Sequence, residues 1–171
     1  MYQKALLFAT EKHDGQIRKF NGEPYVNHPI RVANTVNEFT LDEDIIAAAL
    51  LHDVIEDTNA TETEIREKFG DNVANMVLAL TSDKEKIKQV GKTKYLLDKM
   101  NELSDDELLI KLADRLDNVS DLSKDNEKWS IQYTLQTDMI ITMLNNPNIK
   151  DYHITLMNRI RSKILASMKT Q

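Results

Sequence analysis

Cysteine is absent from all 171 residues of the chain. A disulfide framework and a thiolate metal site are therefore excluded, and any bound metal must use imidazole and carboxylate ligands. The absence suits a reducing compartment, and a cytoplasmic location is expected. No apolar run approaches the roughly 20 residues needed to cross a bilayer, so no membrane partner is expected. The start, "MYQKALLFATEKHDG", lacks a small-residue cleavage site after its short apolar run and is read as no signal peptide. Positive charge is in the minority, with 22 Lys and Arg against 28 Asp and Glu and a net charge of −6. General nucleic-acid binding relies on neutralising phosphates and is not expected of such a chain. A phosphorylated small molecule remains open as a ligand if a metal and a few cations gather in one place.

Glycine and proline are also scarce, at 4 and 3 residues. Apolar residues recur mostly every three or four positions, and no strand-like alternation is sustained. The expected fold class is all-α, a compact multi-helix bundle forming one domain over residues 1–171. A first helix is expected over about Tyr2 to Lys12, with Ala5, Leu6, Phe8 and Ala9 inward. The turn-rich "DGQIRKFNGEPY" follows, where Asn21-Gly22 suits a small hairpin. A second helix is expected from His28 to about Glu38, with Pro29 in its first turn. A third begins near Asp42 and carries "DIIAAALLHDVIED", apolar nearly all round and hence central. Thr61 with Glu64, and Ser104 with Glu107, form capping boxes that open further helices, the first of which stops at Gly70. Helices are also expected over about Asn72 to Thr81, Ser130 to Leu144 and Asp151 to Met168. The polar stretch Ser82 to Thr93 is left open between an ordered helix and a lid.

The stretch "LLHDVIEDT" holds His52, Asp53, Glu56 and Asp57 next to a strongly apolar run. Residues four apart share a helix face, which stacks His52 over Glu56 and Asp53 over Asp57. "KLADRLDN" repeats the device with Asp114 and Asn118, and "YVNHP" supplies His28 at a helix start. Burying such groups is costly unless they find partners, and a shared cation is one. His28, His52, Asp53 and Asp114 are thus the candidate ligands of one divalent metal. Mixed imidazole and carboxylate donors suit Mn²⁺, Fe²⁺ or Zn²⁺. Four protein ligands on an ion that still takes water and a phosphate oxygen favour Mn²⁺ or Fe²⁺ over tetrahedral Zn²⁺. Such a metal lowers the pKa of bound water and polarises a phosphoryl oxygen. Glu56 and Asp57 remain to orient or deprotonate an attacking water. The plainer alternatives are a solvated helix end at Glu56 and Asp57 and a structural ion pair at Asp114-Arg115. His13 and His153 are expected at the surface.

These residues sit in segments that resemble the HD-domain phosphohydrolases and, more closely, the hydrolase domain of RelA/SpoT alarmone enzymes. The segments are "DGQIRKFNGEPYVNHPIRVA", "AAALLHDVIEDT", "IREKFGDNVANMVLALT" and "LIKLADRLDNVSDL", in the family's order and covering about Tyr2 to Leu122. Residues 123–171 are read only as a helical tail. With no synthetase domain following, the resemblance is to a stand-alone small alarmone hydrolase. It implies Mn²⁺-dependent removal of the 3′-pyrophosphate from guanosine tetra- and pentaphosphate (ppGpp and pppGpp), releasing pyrophosphate. It implies His28, His52, Asp53 and Asp114 as metal ligands and Glu56 and Asp57 as the catalytic pair. Arg18 and Lys19 align with residues that meet the guanine nucleotide, and Asn118 with a further nucleotide contact.

One departure stands out: the family's usual His before this Asn is Asp117 here, which adds negative charge beside a polyanion site. On bare sequence Arg18-Lys19 also reads as a solvent-facing loop pair. Lys111 and Arg115 read as phosphate cations or exposed helix charges, and Tyr25 as a substrate contact or a loop anchor. Two other functions stay open. One is an HD-type hydrolase acting on another nucleotide, such as NADPH or a nucleoside monophosphate; the other is a non-catalytic alarmone-binding module. The oligomeric state is not legible.

Overall fold

The computed structural model describes residues 1–18, 21–122 and 127–169. Among them the all-α expectation holds, with eleven helices and a single isolated bridge, Ile17 to Pro24. No helix is long and apolar enough to cross a membrane. The chain divides into two compact units, Met1–Ser82 and Asp83–Gln171.

The first unit is organised around α3, Glu43–Leu51. Asp42 caps it, its side chain accepting from the Asp44 N–H at 2.8 Å. Every residue from Ile45 to Leu51 is buried, so the helix presents no solvent face. Three consecutive alanines keep it slim, and α1 (Tyr2–Lys12), α2 (Asn27–Asn37) and α6 (Asp71–Leu80) all pack on it. Between α1 and α2 the chain makes the expected hairpin-like turn. Arg18 N–H donates to the Glu23 carbonyl at 2.9 Å and Tyr25 N–H to Gln16 at 2.9 Å. Gly22, at φ +72°, supplies the left-handed residue this reversal needs. α5 (Glu62–Phe69) opens on the Thr61/Glu64 capping box and ends at Gly70, with φ +88°.

The third helix does not run through to Asp57 as its sequence suggests. It stops at Leu51, and a separate turn, α4 (Val54–Asp57), follows after His52 and Asp53. His52 Nδ1 lies 2.8 Å from the Ala49 carbonyl. That carbonyl is the acceptor the Asp53 amide would use in an unbroken helix, so a side chain competes with the backbone ladder there. The ladder resumes with Asp57 N–H donating to Asp53 at 2.9 Å.

In the second unit α7 (Lys84–Val90) is capped by Asp83, so the stretch left open in the sequence contains an ordered helix. α8 (Lys92–Glu102), α9 (Asp105–Ser120), α10 (Glu127–Met143) and α11 (Asp151–Lys169) complete it. α9 opens on the Ser104/Glu107 capping box and packs on α11. His153, expected at the surface, is fully buried at the start of α11. Its Nδ1 accepts from Lys150 N–H at 2.9 Å and its Nε2 meets the Asp105 carbonyl at 2.9 Å. Burial pushes its pKa below the ordinary value, which keeps it neutral and fits one accepting and one donating nitrogen. α10 buries polar as well as apolar residues: Ser130, Thr134 and Thr137 are buried with Ile140 and Ile141, while Ile131, Leu135 and Met139 are exposed.

Packing and exposure set the cost of truncation. Leu50→Ala, at a fully buried position, is expected to cost about 2–5 kcal/mol in urea-induced unfolding. Leu135→Ala, on the exposed face of α10, should stay within about 0.5 kcal/mol of wild type.

Candidate functional site

The break after α3 has a direct consequence for chemistry. It leaves His52 at the helix end and Asp53 beside it, while His28 enters in the first turn of α2. Both imidazoles are buried, their rings 5.2 Å apart and edge to face. Asp53 Oδ2 lies 3.2 Å from His52 Nε2 and 3.6 Å from His28 Nε2. A carbonyl only accepts, so the contact with Ala49 fixes the proton of His52 on Nδ1. In the neutral ring, Nε2 then turns a lone pair toward a carboxylate oxygen, an arrangement that wants a proton or a cation between the two. Two imidazole nitrogens and a carboxylate oxygen, one ring held in its tautomer by a backbone carbonyl, are a donor set that fits a divalent transition metal. The described residues thus contain a candidate metal-binding cluster in the first unit.

Tyr25, at the end of the hairpin, reaches into the same cluster. Its hydroxyl lies 2.7 Å from Asp53 Oδ2 and 3.1 Å from Asp57 Oδ2. The backbone of Asp57 is held as well, its carbonyl accepting from Gln16 Nε2 at 2.8 Å. Gln16 Oε1 in turn accepts from His13 Nδ1 at 2.8 Å, and the His13 ring lies 4.8 Å from that of Tyr25. His13 is therefore buried, against the expectation of a surface residue. Its partner sits three residues on, and its ring covers the Tyr25 face. Glu56 accepts the Ser82 N–H at 2.9 Å, just past the end of α6. Asp57 is solvent-exposed as a residue, yet partial burial of its carboxyl raises its pKa. The charges of Asp53 and Glu56 add to this effect, and the Tyr25 hydrogen bond opposes it. A carboxylate with a raised pKa is a better proton acceptor, as base chemistry requires.

In the second unit, Asp114 is buried on α9. It pairs with Lys111 at 2.9 Å and accepts from Asn118 Nδ2 at 2.5 Å. The i, i+4 spacing seen in sequence is thus a direct contact. Lys111 is an ion-pair partner of Asp114 rather than an exposed charge. Arg115 is not Asp114's structural partner either: it is buried, donates to Thr137 at 2.8 Å and lies 5.6 Å over the Tyr133 ring. Asp117 is buried as well.

Of the residues singled out in sequence, the first unit gathers His28, His52 and Asp53, with Glu56 and Asp57 one turn on. Asp114 and Asn118 meet each other in the second unit. Arg18 is buried in the hairpin, contrary to the solvent-facing alternative. Lys19 lies outside the described residues. Tyr25, left between two roles in sequence, holds both acidic positions. The available signal was its place three residues before His28, which sets it one turn away at the entry of α2.

Comparison with known proteins defines the class. An HD-domain family profile matches residues 5–147, and the chain belongs to the HD-domain family. A guanosine-3′,5′-bis(diphosphate) 3′-pyrophosphohydrolase of Danio rerio is 41% identical over 130 residues, covering 73% of this chain and 71% of that protein. An enzyme of the same name from Aquifex aeolicus is 43% identical over 129 residues, 70% of this chain. The match spans only 17% of that protein's length. A solved structure of a metazoan SpoT ortholog, described as hydrolysing ppGpp, superposes with a TM-score of 0.79 at 28% identity. That alignment covers 97% of this chain and 94% of the other.

The Asp57 environment sets a pH dependence for the metal-free protein. A carboxyl whose pKa is higher in the fold than in the unfolded chain destabilises the fold when ionised. The effect is absent below the ordinary value of 3.8, grows as pH rises through the folded value and is complete above it. With chelator present, Asp57→Asn is expected to melt above wild type at neutral pH. That advantage should shrink toward zero as the pH is lowered below about 4, as followed by thermal denaturation.

Proposed function

We propose that this chain hydrolyses the 3′-pyrophosphate of ppGpp and pppGpp in an Mn²⁺-dependent reaction, giving GDP or GTP and pyrophosphate. The observation that carries the reading is the convergence of His28 and His52 on Asp53 Oδ2, with an acidic pair on the next turn. Likeness to proteins named for this activity, two of them at 41% and 43% identity, supports the choice of substrate. His28, His52, Asp53 and Asp114 are the residues assigned to the metal, and the approach of both imidazoles to Asp53 supports the first three. When bound, the metal withdraws charge from a phosphoryl oxygen and makes water more acidic.

The protein's own groups do the rest. Glu56 and Asp57 orient the attacking water and take its proton, the raised pKa of Asp57 suiting it to that task. The water oxygen bonds to the phosphorus attached at the 3′ oxygen, the P–O3′ bond breaks, and the departing 3′ oxygen takes up a proton. Arg18 and Lys19 serve the guanine and sugar side, and Asn118 orients Asp114 and meets the nucleotide. A family match that runs through residues 5–147 supports reading the chain as one hydrolase domain. The substrate is drawn from the cytoplasmic nucleotide pool.

Incubation with ppGpp and Mn²⁺, with products resolved by anion-exchange chromatography, should yield GDP and pyrophosphate. NADPH and a 2′-deoxynucleoside monophosphate serve as competing substrates, and preferential turnover of either would redirect the reading. Asp53→Ala is expected to abolish Mn²⁺ binding. A Glu56→Ala, Asp57→Ala double variant should keep the metal but lose about 10²–10⁴-fold in kcat. Full turnover by that double variant would overturn the assignment.

A further inference from the structure

The phenol of Tyr25 has one proton and faces two carboxylates. Its hydroxyl is 2.7 Å from the same Asp53 oxygen that both buried histidines approach, and 3.1 Å from Asp57 Oδ2. The ring is held in place without help from the hydroxyl. It lies against the His13 ring at 4.8 Å, tilted by 34°, and meets His28 edge-on at 5.9 Å. Its backbone is fixed by the hydrogen bond to Gln16 and by His28 N–H donating back to its carbonyl at 3.0 Å. A side chain needed only to anchor the loop would be complete with these contacts.

We infer that Tyr25 is a positioning residue whose hydroxyl ties the metal-ligating carboxylate of Asp53 to the water-orienting carboxylate of Asp57. The inference rests on the roles proposed above for those two residues. Two anions separated by one turn repel each other and would otherwise rotate apart. A single donor between them fixes the distance from ligand to base, and the bond to Asp57's backbone from Gln16, itself held by His13, fixes the main chain from which the second carboxylate projects. Groups that orient a metal ligand from behind set metal affinity as well as geometry, and their loss typically weakens binding about 10–100-fold. Because the same hydroxyl also places the base, its loss lowers turnover even when the metal is saturating.

Tyr25→Phe removes the hydroxyl and keeps the ring, so the variant is expected to fold with an unchanged melting temperature in chelator. Its Mn²⁺ affinity, measured by calorimetric titration, should fall about 10–100-fold. At saturating Mn²⁺, kcat for ppGpp should drop while KM stays at the wild-type value. Wild-type Mn²⁺ affinity in Tyr25→Phe would overturn the inference, as would losses that merely follow a lowered melting temperature. The titration decides the matter even if the wild-type protein does not turn over ppGpp, a result that would sink the proposed activity and leave the link from Tyr25 to Asp53 to be judged by metal binding alone.

Discussion

A single carboxylate oxygen, Oδ2 of Asp53, is the point on which the polar side chains of the first unit's interior converge. Two buried imidazoles and a phenol approach it from three different segments of chain: the end of α3, the first turn of α2 and the hairpin before it. Each approach depends on a separate piece of folding. α3 must be buried all round to carry His52 to its place. Gly22 must allow the hairpin to reverse, and the carbonyl of Ala49 must capture the His52 ring. A carboxylate brought against two buried imidazoles is costly to bury, and a cation is one partner that would offset that cost.

The acidic character of the chain is consistent with such a seat. A net charge of −6 gives no general attraction for polyanions. Binding of any phosphorylated ligand would therefore have to rest on local cations. Lys111 is already engaged with Asp114, and Arg115 is committed to Thr137 and the Tyr133 ring, so neither serves as a simple surface charge. Burial of Asp117 near this group adds to the local negative charge. A divalent ion is a further means of balancing negative charge in such surroundings.

Much of the fold was legible because its signals are local. The capping boxes at Thr61 and Ser104, the stop at Gly70 and the all-apolar run of α3 each act within a few residues, and each appears as expected. The clustering of His28, His52 and Asp53 was legible for a related reason, since ionisable groups set in apolar sequence need partners. The break of the helix at His52 was not legible, because it turns on a ring nitrogen outcompeting an amide for one carbonyl. His13 and His153 were misread as surface residues. Their burial is helped by Gln16, Lys150 and Asp105, which meet their ring nitrogens, and one of those partners, Asp105, belongs to another part of the second unit's chain. Tyr25's double contact depends on where the hairpin sets down a side chain, which composition and spacing do not specify.

The burial of α3 from Ile45 to Leu51 bears on how lesions in this protein will present themselves. The helix at the centre of the first unit's interior ends next to His52 and Asp53, so loosening that interior is expected to displace those groups as well. Genetic screens that score only lost function would collect interior damage and chemical damage as one phenotype. Separating the two calls for a gauge of backbone protection, such as amide exchange along α3, read beside any assay of the reaction.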